Sequence, residues 1–367
     1  MATTGEEEFT LDTAAEIAAA EGSGGKGGIQ GRSPWALAGR RLRRNWVALT
    51  FLCLLLLVVT CCLLAPVYAD NVSHLGPDQT NLGGTISVNG HKVDVVSSGG
   101  VTTLPNGQVT VKPAGVPIGP QWFAAGGEYV LGADNLGRDI ATRLLYGGEN
   151  SLFVGVTSAA ICTVLSVILA LLAGYFGGVV DWIITRFFDL IWAFPVILLG
   201  IALGTALSVN GFHHFGLNIS GSSLWIPTAV ISYVFIPYIG RPLRGQVMAL
   251  RQKEFVEAAV AQGAGSIRIM ASELLPNIAS SVLVLFTLIV ANTILTEAGL
   301  SFLGAGVQPP NPSWGTMIAD GQQVLATDPW LSLFPGMAIV LTVLSLNVFG
   351  DGLRDALDPR AKVRMEH

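Results

Sequence analysis

His213 and His214 are the first residues to test for chemistry, because imidazole is a common metal ligand. No glutamate or cysteine stands near them, and adjacent side chains point in different directions whatever the backbone does. A metal centre built on the pair is therefore not expected. GSGGKGG, at 22–28, has the glycines and lysine of a phosphate-binding loop. That loop also needs a glycine where Ala20 stands and a serine or threonine where Gly27 stands, so the match fails twice. Asn292 and Thr296, and likewise Thr293 and Glu297, are four apart in an apolar run. Polar groups there are costly against lipid, so they either line a translocation path or hydrogen-bond between helices. Asp134, Arg138, Asp139 and Arg143 alternate in sign at helical distances and read as a solvated helix entering a membrane. Arg186 and Asp189, three apart, read as a structural ion pair. No nucleophile stands beside a base anywhere, so no catalytic, cofactor-binding or metal residue is expected in this chain.

The elements that position these groups follow from composition. Charged residues make up 12% of the 367, about half the usual share, and mean hydropathy is +0.58, which together indicate a membrane protein. Net charge is −5, which gives no overall basic field for nucleic acid. A spanning helix needs about 20 mostly apolar residues. Six runs meet that need: 46–66, 151–173, 190–209, 224–240, 278–300 and 331–350, the fourth carrying Pro227 and Pro237. With both termini cytoplasmic, all of the 20 basic residues except Lys92, Lys112, Arg138 and Arg143 fall on the cytoplasmic side, as the positive-inside rule requires.

Cys53, Cys61, Cys62 and Cys162 all fall inside these runs and read as small packing residues without a disulfide framework. Val67-Tyr68-Ala69 resembles a signal-peptide cleavage site, but the preceding apolar run is too long for a signal and follows a long leader, so it is expected to stay as the first helix. Residues 1–33 are rich in Gly, Ala, Ser and Glu and read as a disordered cytoplasmic tail. Within 67–131, alternating Val, Thr and Ile surround Asn89-Gly90 and Asn106-Gly107, the pattern of short strands joined by tight turns.

The stretch 254–277, EFVEAAVAQGAGSIRIMASELLPN, interrupts two apolar runs with small and charged residues. As a helix it offers the smooth surface of Ala258, Ala259, Ala261 and Ala264, which Gly263 and Gly265 then break. Leu275-Pro276 is expected to restart the chain as the fifth span, with proline in the first turn. Such a helix lies across the cytoplasmic membrane face and suits contact with another protein.

Glu257-Ala258-Ala259, Gly263 and Leu275-Pro276 resemble the EAA coupling loop of ABC importer permeases, with Glu273 where that pattern has isoleucine. LGADNLGRDIATRLLYG, TEAGLSFLGAGVQPPNPSWGTMI and PWLSLFPGMAIVLTVLSLNVFGDGLRDALDPR extend the resemblance to the dipeptide, oligopeptide and nickel subfamily, specifically its C-type permease. Glu149-Asn150 and an enlarged outer loop at 71–127 depart from that subfamily's pattern.

The resemblance implies an all-α polytopic membrane protein with the six transmembrane helices of the type I ABC importer permease fold, carrying here a small β-rich extracytoplasmic insert. Its parts are a tail at 1–33, a basic segment and first helix at 34–66, the outer insert at 67–131, the permease domain at 132–353 with a coupling loop at 241–277, and a cytoplasmic tail at 354–367. It also implies the partners: a sister permease, one or two ABC ATPase subunits that hold ATP and magnesium, an extracytoplasmic peptide-binding protein and membrane lipid, without nucleic acid. Glu257, Ala258, Ala259, Gly263, Leu275 and Pro276 are the expected ATPase-coupling residues. The implied cargo is a di- or oligopeptide, with a nickel chelate or another small solute as alternative. A stand-alone secondary transporter is the other reading, but the two halves show no internal similarity.

Overall fold

The computed structural model describes residues 39–357 except 89, 104–108, 113, 123, 214, 215 and 217. The expected tail at 1–33, Asn89, the Asn106-Gly107 turn, His214 and the chain past 357 lie outside the described residues. The chain is mostly helical. α1 is Trp46–Leu63, started by the Asn45 side chain accepting from the Ala48 amide. It continues through a short helix, Ala65–Tyr68, and a π-helical turn, Ala69–Ser73.

Four short strands follow in two antiparallel hairpins. β1 (Thr85–Val88) pairs with β2 (His91–Asp94), and β3 (Gly100–Thr103) with β4 (Val109–Lys112). Gly90 supplies the positive φ, +82°, that the first turn needs. The hairpin unit has its own apolar core of Ile86, Val95, Val96, Ile118, Tyr129 and Ala133.

α2, Ile140–Phe176, is about 55 Å long at 1.5 Å per residue and runs the height of the molecule. Its first turn lies beside the hairpin unit and its last beside the 252–277 loop. α3 (Gly178–Trp192) and α4 (Val196–Asn210) are bent by 86° about residues 193–195, where Pro195 ends the first helix and caps the second. The expected third span at 190–209 is therefore broken near its start. α5 is Trp225–Arg251. After the loop come α7 (Leu275–Phe302), α8 (Trp314–Gln322) and α9 (Trp330–Leu357); α6 belongs to the loop and is described below.

Among the described residues four helices are long and apolar enough to cross a membrane: α1, α2, the run Ser266–Phe302 and α9. The bent pair α3 and α4 raises this to five if it is one span. The count thus falls short of the six expected, and α5 is the element that does not qualify. It carries Pro237, Pro242, Arg241 and Arg244, and most of its apolar side chains face protein, Trp225, Tyr238 and Met248 being exposed. Val230, Ile231, Val234, Phe235, Ile236 and Ile239 are all buried against the bundle. A helix wrapped by protein does not need the uniform apolarity of one wrapped by lipid.

Hydroxyls and glycines hold α2 to its neighbours. Ser158 and Ser166 donate to the Thr228 and Ile236 carbonyls of α5 at 3.1 and 2.8 Å. A Cβ on Gly174 would stand 2.7 Å from Val247 Cβ, so only glycine lets α2 and α5 close here. Two ion pairs tie α3 to α5. Arg244 bonds both oxygens of Asp181, and Arg241 Nη2 reaches Asp189 at 2.7 Å with its guanidinium 4.0 Å over the Trp192 ring. The expected Arg186–Asp189 pair forms at 3.1 Å, so Asp189 serves two arginines.

Candidate functional site

The 252–277 loop begins where α5 ends at Arg251 and Lys253 turns extended, restarting the chain as α6, Glu254–Ala261. Glu254 and Glu257 fall in its first turn, where their charge opposes the helix dipole. Val256 is the anchor. It is 3% exposed and packs among Leu171 of α2, Val247 of α5, Ile269 and Leu274 from the far side of the loop, and Ile278 just after it. Burying one valine of an eight-residue helix leaves the rest outward: Glu257 and Ala258 are exposed and Ala259 is half-buried.

Gly263 closes α6. Its amide donates to the Val260 carbonyl at 2.9 Å and the Ala264 amide to the Ala259 carbonyl at 3.0 Å, the paired bonds of a Schellman motif with the left-handed residue at φ +80°. A Cβ on Gly263 would meet nothing within 4 Å, so the requirement is one of backbone conformation and not of space.

The chain does not wait for Leu275 to become helical again, as the sequence suggested. Ser266–Arg268 is already helical, and Ile269–Leu274 is π-helical, with the Leu275 amide reaching back to the Met270 carbonyl. This wider turn accommodates Pro276, which has no amide to donate and whose ring would crowd the carbonyl four residues back in an α-helix. Leu275 and Pro276 are exposed, and Glu273, at the departure from the EAA pattern, is half-buried.

Two apolar residues that the sequence did not single out complete this surface: Val260 is 56% and Ile267 80% exposed. Ile267 sits at the tip of the loop, and only its place between glycines and a cation hinted at it. An open cavity of about 420 Å³ lies beside α6, lined by Tyr175, Phe176, Arg251, Glu257, Val260 and Ser266. Small, apolar and acidic groups on a short helix held clear of the bundle can be gripped by another protein, and they contain no reacting pair.

Asn292, Thr293, Thr296 and Glu297 of α7 separate onto two faces. Asn292 is exposed and Thr296 half-buried, each bonded only to a carbonyl of its own helix, at 2.8 Å. Thr293 is buried and donates to the Gly155 carbonyl of α2 at 2.8 Å. Glu297 is fully buried; Oε1 accepts from Ser301 Oγ at 2.7 Å, and Ser301 Oγ in turn accepts from the Val307 amide at 2.9 Å. Thr293 and Glu297 are thus enclosed by the bundle, and Asn292 and Thr296 are not.

At the opposite end of α2 the expected solvated helix is absent. Asp134 and Arg138 lie in a turn, Asp139 caps α2, and Asp134, Asp139 and Arg143 are buried. Asp134 accepts from the Leu136 and Arg138 amides at 2.9 Å and from Arg138 Nε at 2.6 Å, with Arg143 Nε at 3.5 Å. Asp320 of α8 receives both arginines, at 3.1 and 3.4 Å. Mutual pairing lets the charges be buried, so alternation of sign here marked a network and not a wet face. Burial raises the Asp139 carboxyl above its ordinary range even though Thr142 donates to it twice, and burial likewise raises Asp320 against the pull of its two arginines.

Among the described residues no three His, Cys, Asp or Glu side chains converge on a metal position. The ring of His213 bonds Asn218. Cys62 and Cys162 are buried as packing residues, while Cys53 and Cys61 are exposed.

These features define a multi-pass helical membrane protein that presents a short helix on one end of its bundle. Residues 166–363 match the profile of the binding-protein-dependent transport system inner membrane component, and residues 33–83 that of the N-terminal transmembrane domain of oligopeptide transport permease C. The chain is similar to a dipeptide transport system permease protein of Alkalihalophilus pseudofirmus, 43% identical over 64% of this chain and 73% of that one. It is similar over 91% of its length to a putative peptide transport system permease protein of Brucella suis biovar 1, 34% identical over 94% of the relative. A glutathione transport system permease protein of Escherichia coli O6:K15:H31 is 34% identical over 91% of this chain and 93% of its own. The chain belongs to the family of binding-protein-dependent transport system inner membrane components.

Proposed function

We propose that this chain is the permease subunit of an ATP-driven importer of di- or oligopeptides, and that it breaks no bond itself. The observation that carries the reading is α6, anchored by Val256, closed by Gly263 and offering Glu257, Ala258 and Val260 outward, with Ile267 exposed just beyond it. In this reading Glu257, Ala258, Ala259 and Gly263 seat in a groove of a partner ATPase, which binds ATP and magnesium, while Leu275 and Pro276 fix where the loop rejoins the bundle. The loop end is cytoplasmic, consistent with the basic residues flanking it, and the hairpin unit is extracytoplasmic, where a peptide-binding protein delivers cargo. A sister permease completes the path, with six crossings in this chain if α5 and the bent α3 and α4 each count as one. Closure of the ATPases moves α6, and α5 carries that motion into the bundle.

The peptide class is supported by what the relatives carry by name. A nickel chelate or another small solute is the competing cargo. Proteoliposomes holding the complex that co-purifies with the full chain, supplied with binding protein and ATP, test this directly. Accumulation of labelled dipeptide that stops without ATP is the expected result, and uptake of labelled nickel chelate in its place would replace the peptide reading.

A further inference from the structure

A second cavity, of about 370 Å³, lies between the last turns of α5, the first half of α7 and the last turn of α9, toward the same end of the bundle as α6. Gln246, Ser280, Ser281 and Arg354 line it together with Leu285 and Leu288, and among the described residues no carboxylate does. Its size is at the lower end of the roughly 300–1,000 Å³ of small-molecule sites.

The polar groups here behave unlike their neighbours. Thr287, Thr342 and Ser345 spend their hydroxyls on carbonyls of their own helices. Among the described residues the side chains of Gln246, Ser280, Ser281 and Arg354 have no hydrogen-bond or ion-pair partner, although both serines are half-buried. A guanidinium and an amide, both exposed, and two half-buried hydroxyls line one open cavity with an apolar floor, and together they fit a ligand with a carboxylate, peptide groups and apolar side chains. The guanidinium fork matches a carboxylate in two parallel bonds.

The cavity also continues along one face of α7. Ser281, Leu285, Leu288, Asn292 and Thr296 recur at alternating intervals of four and three or four residues, which places them on one face of α7. Asn292 and Thr296, like Ser281, are polar residues of that face that the bundle does not bury.

We infer that this cavity receives the carboxylate end of a small peptide leaving the path, with Arg354 holding the carboxylate and Gln246, Ser280 and Ser281 the peptide groups. The inference rests on the peptide-import reading.

The test labels Ser281→Cys, in a Cys53→Ser, Cys61→Ser background, in nanodiscs holding the full chain and its co-purifying subunits. With each rate normalised to that of a free thiol, an anionic methanethiosulfonate reagent is expected to gain roughly five-fold over a cationic one, as a nearby exposed unit charge dictates. Arg354→Gln should remove that preference and Arg354→Lys restore it. A dipeptide with a free C-terminal carboxylate should slow labelling, while its C-terminal amide should not. Equal protection by both peptides, or by neither, in a preparation that imports dipeptide overturns the inference and leaves the importer reading intact. Labelling that follows the fraction of anionic lipid and ignores peptide overturns it in favour of a lipid headgroup. A preparation that does not import peptide at all removes the reading beneath it, and the inference falls with that reading.

Discussion

Replacing Gly263 by alanine puts a side chain on backbone held at φ +80°, which costs roughly 1–2 kcal/mol for a residue other than glycine. The end of α6 should fray, and uptake should lose its tight coupling to ATP hydrolysis; Gly263→Asn, which tolerates the left-handed region, should do less harm. The two are compared by the ratio of peptide imported to ATP hydrolysed. Arg143 makes the opposite kind of claim, because it is buried among partners. Arg143→Ala leaves Asp134 without one of its two cations, and removing one partner of a buried pair costs about 3–5 kcal/mol. The melting temperature of the purified chain should fall clearly. Asp139 carries a pH signature. Its folded carboxyl holds a proton more tightly than the unfolded chain does, so its contribution is fully present below the ordinary carboxylate range and is lost as pH rises through its raised folded value. Asp139→Asn keeps the cap and removes the titration, and melts taken between pH 4 and pH 7 should lose part of their slope.

At the scale of elements, α2 depends on residues too small to be noticed. A Cβ on Gly155 would collide with Ile294 of α7, at the point where Thr293 donates to the Gly155 carbonyl. Gly155→Leu should therefore separate α2 from α7, and the full chain should elute as aggregate in mild detergent where the wild type runs as a single species. The sequence could show the spans formed by α1, α2, α7 and α9, because each needs only length and apolarity. It could not show the break before Pro195 as a bend of 86°, nor that α5 lies inside protein, since hydropathy does not say what a helix faces. The 252–277 loop was legible as a helix, a break and a return, through Glu257, Ala258, Ala259 and Gly263. The anchor Val256 and the knob Ile267 were hidden, because which apolar residue turns inward depends on Leu171 and Ile278, far away in the chain. Charge alternation misled at Asp134 to Arg143, for the partner that buries those charges, Asp320, lies in α8.

The whole molecule carries its two ends on one helix. α2 reaches from the buried ion network and the hairpin unit to the packing of α6, so force applied to the loop has a continuous route across the bundle through α2 and α5. Whether that force comes from a partner ATPase is the central claim. Mass spectrometry of everything that co-purifies with the tagged full chain, set beside Ala258→Arg, tests it most directly, since Ala258 is exposed and an arginine there leaves the fold alone while filling the docking surface. The account predicts a second permease and at least one ATPase with the wild type, and loss of the ATPase alone with Ala258→Arg. An ATPase that stays bound to the variant, or a wild-type chain that comes out with itself only, would contradict it.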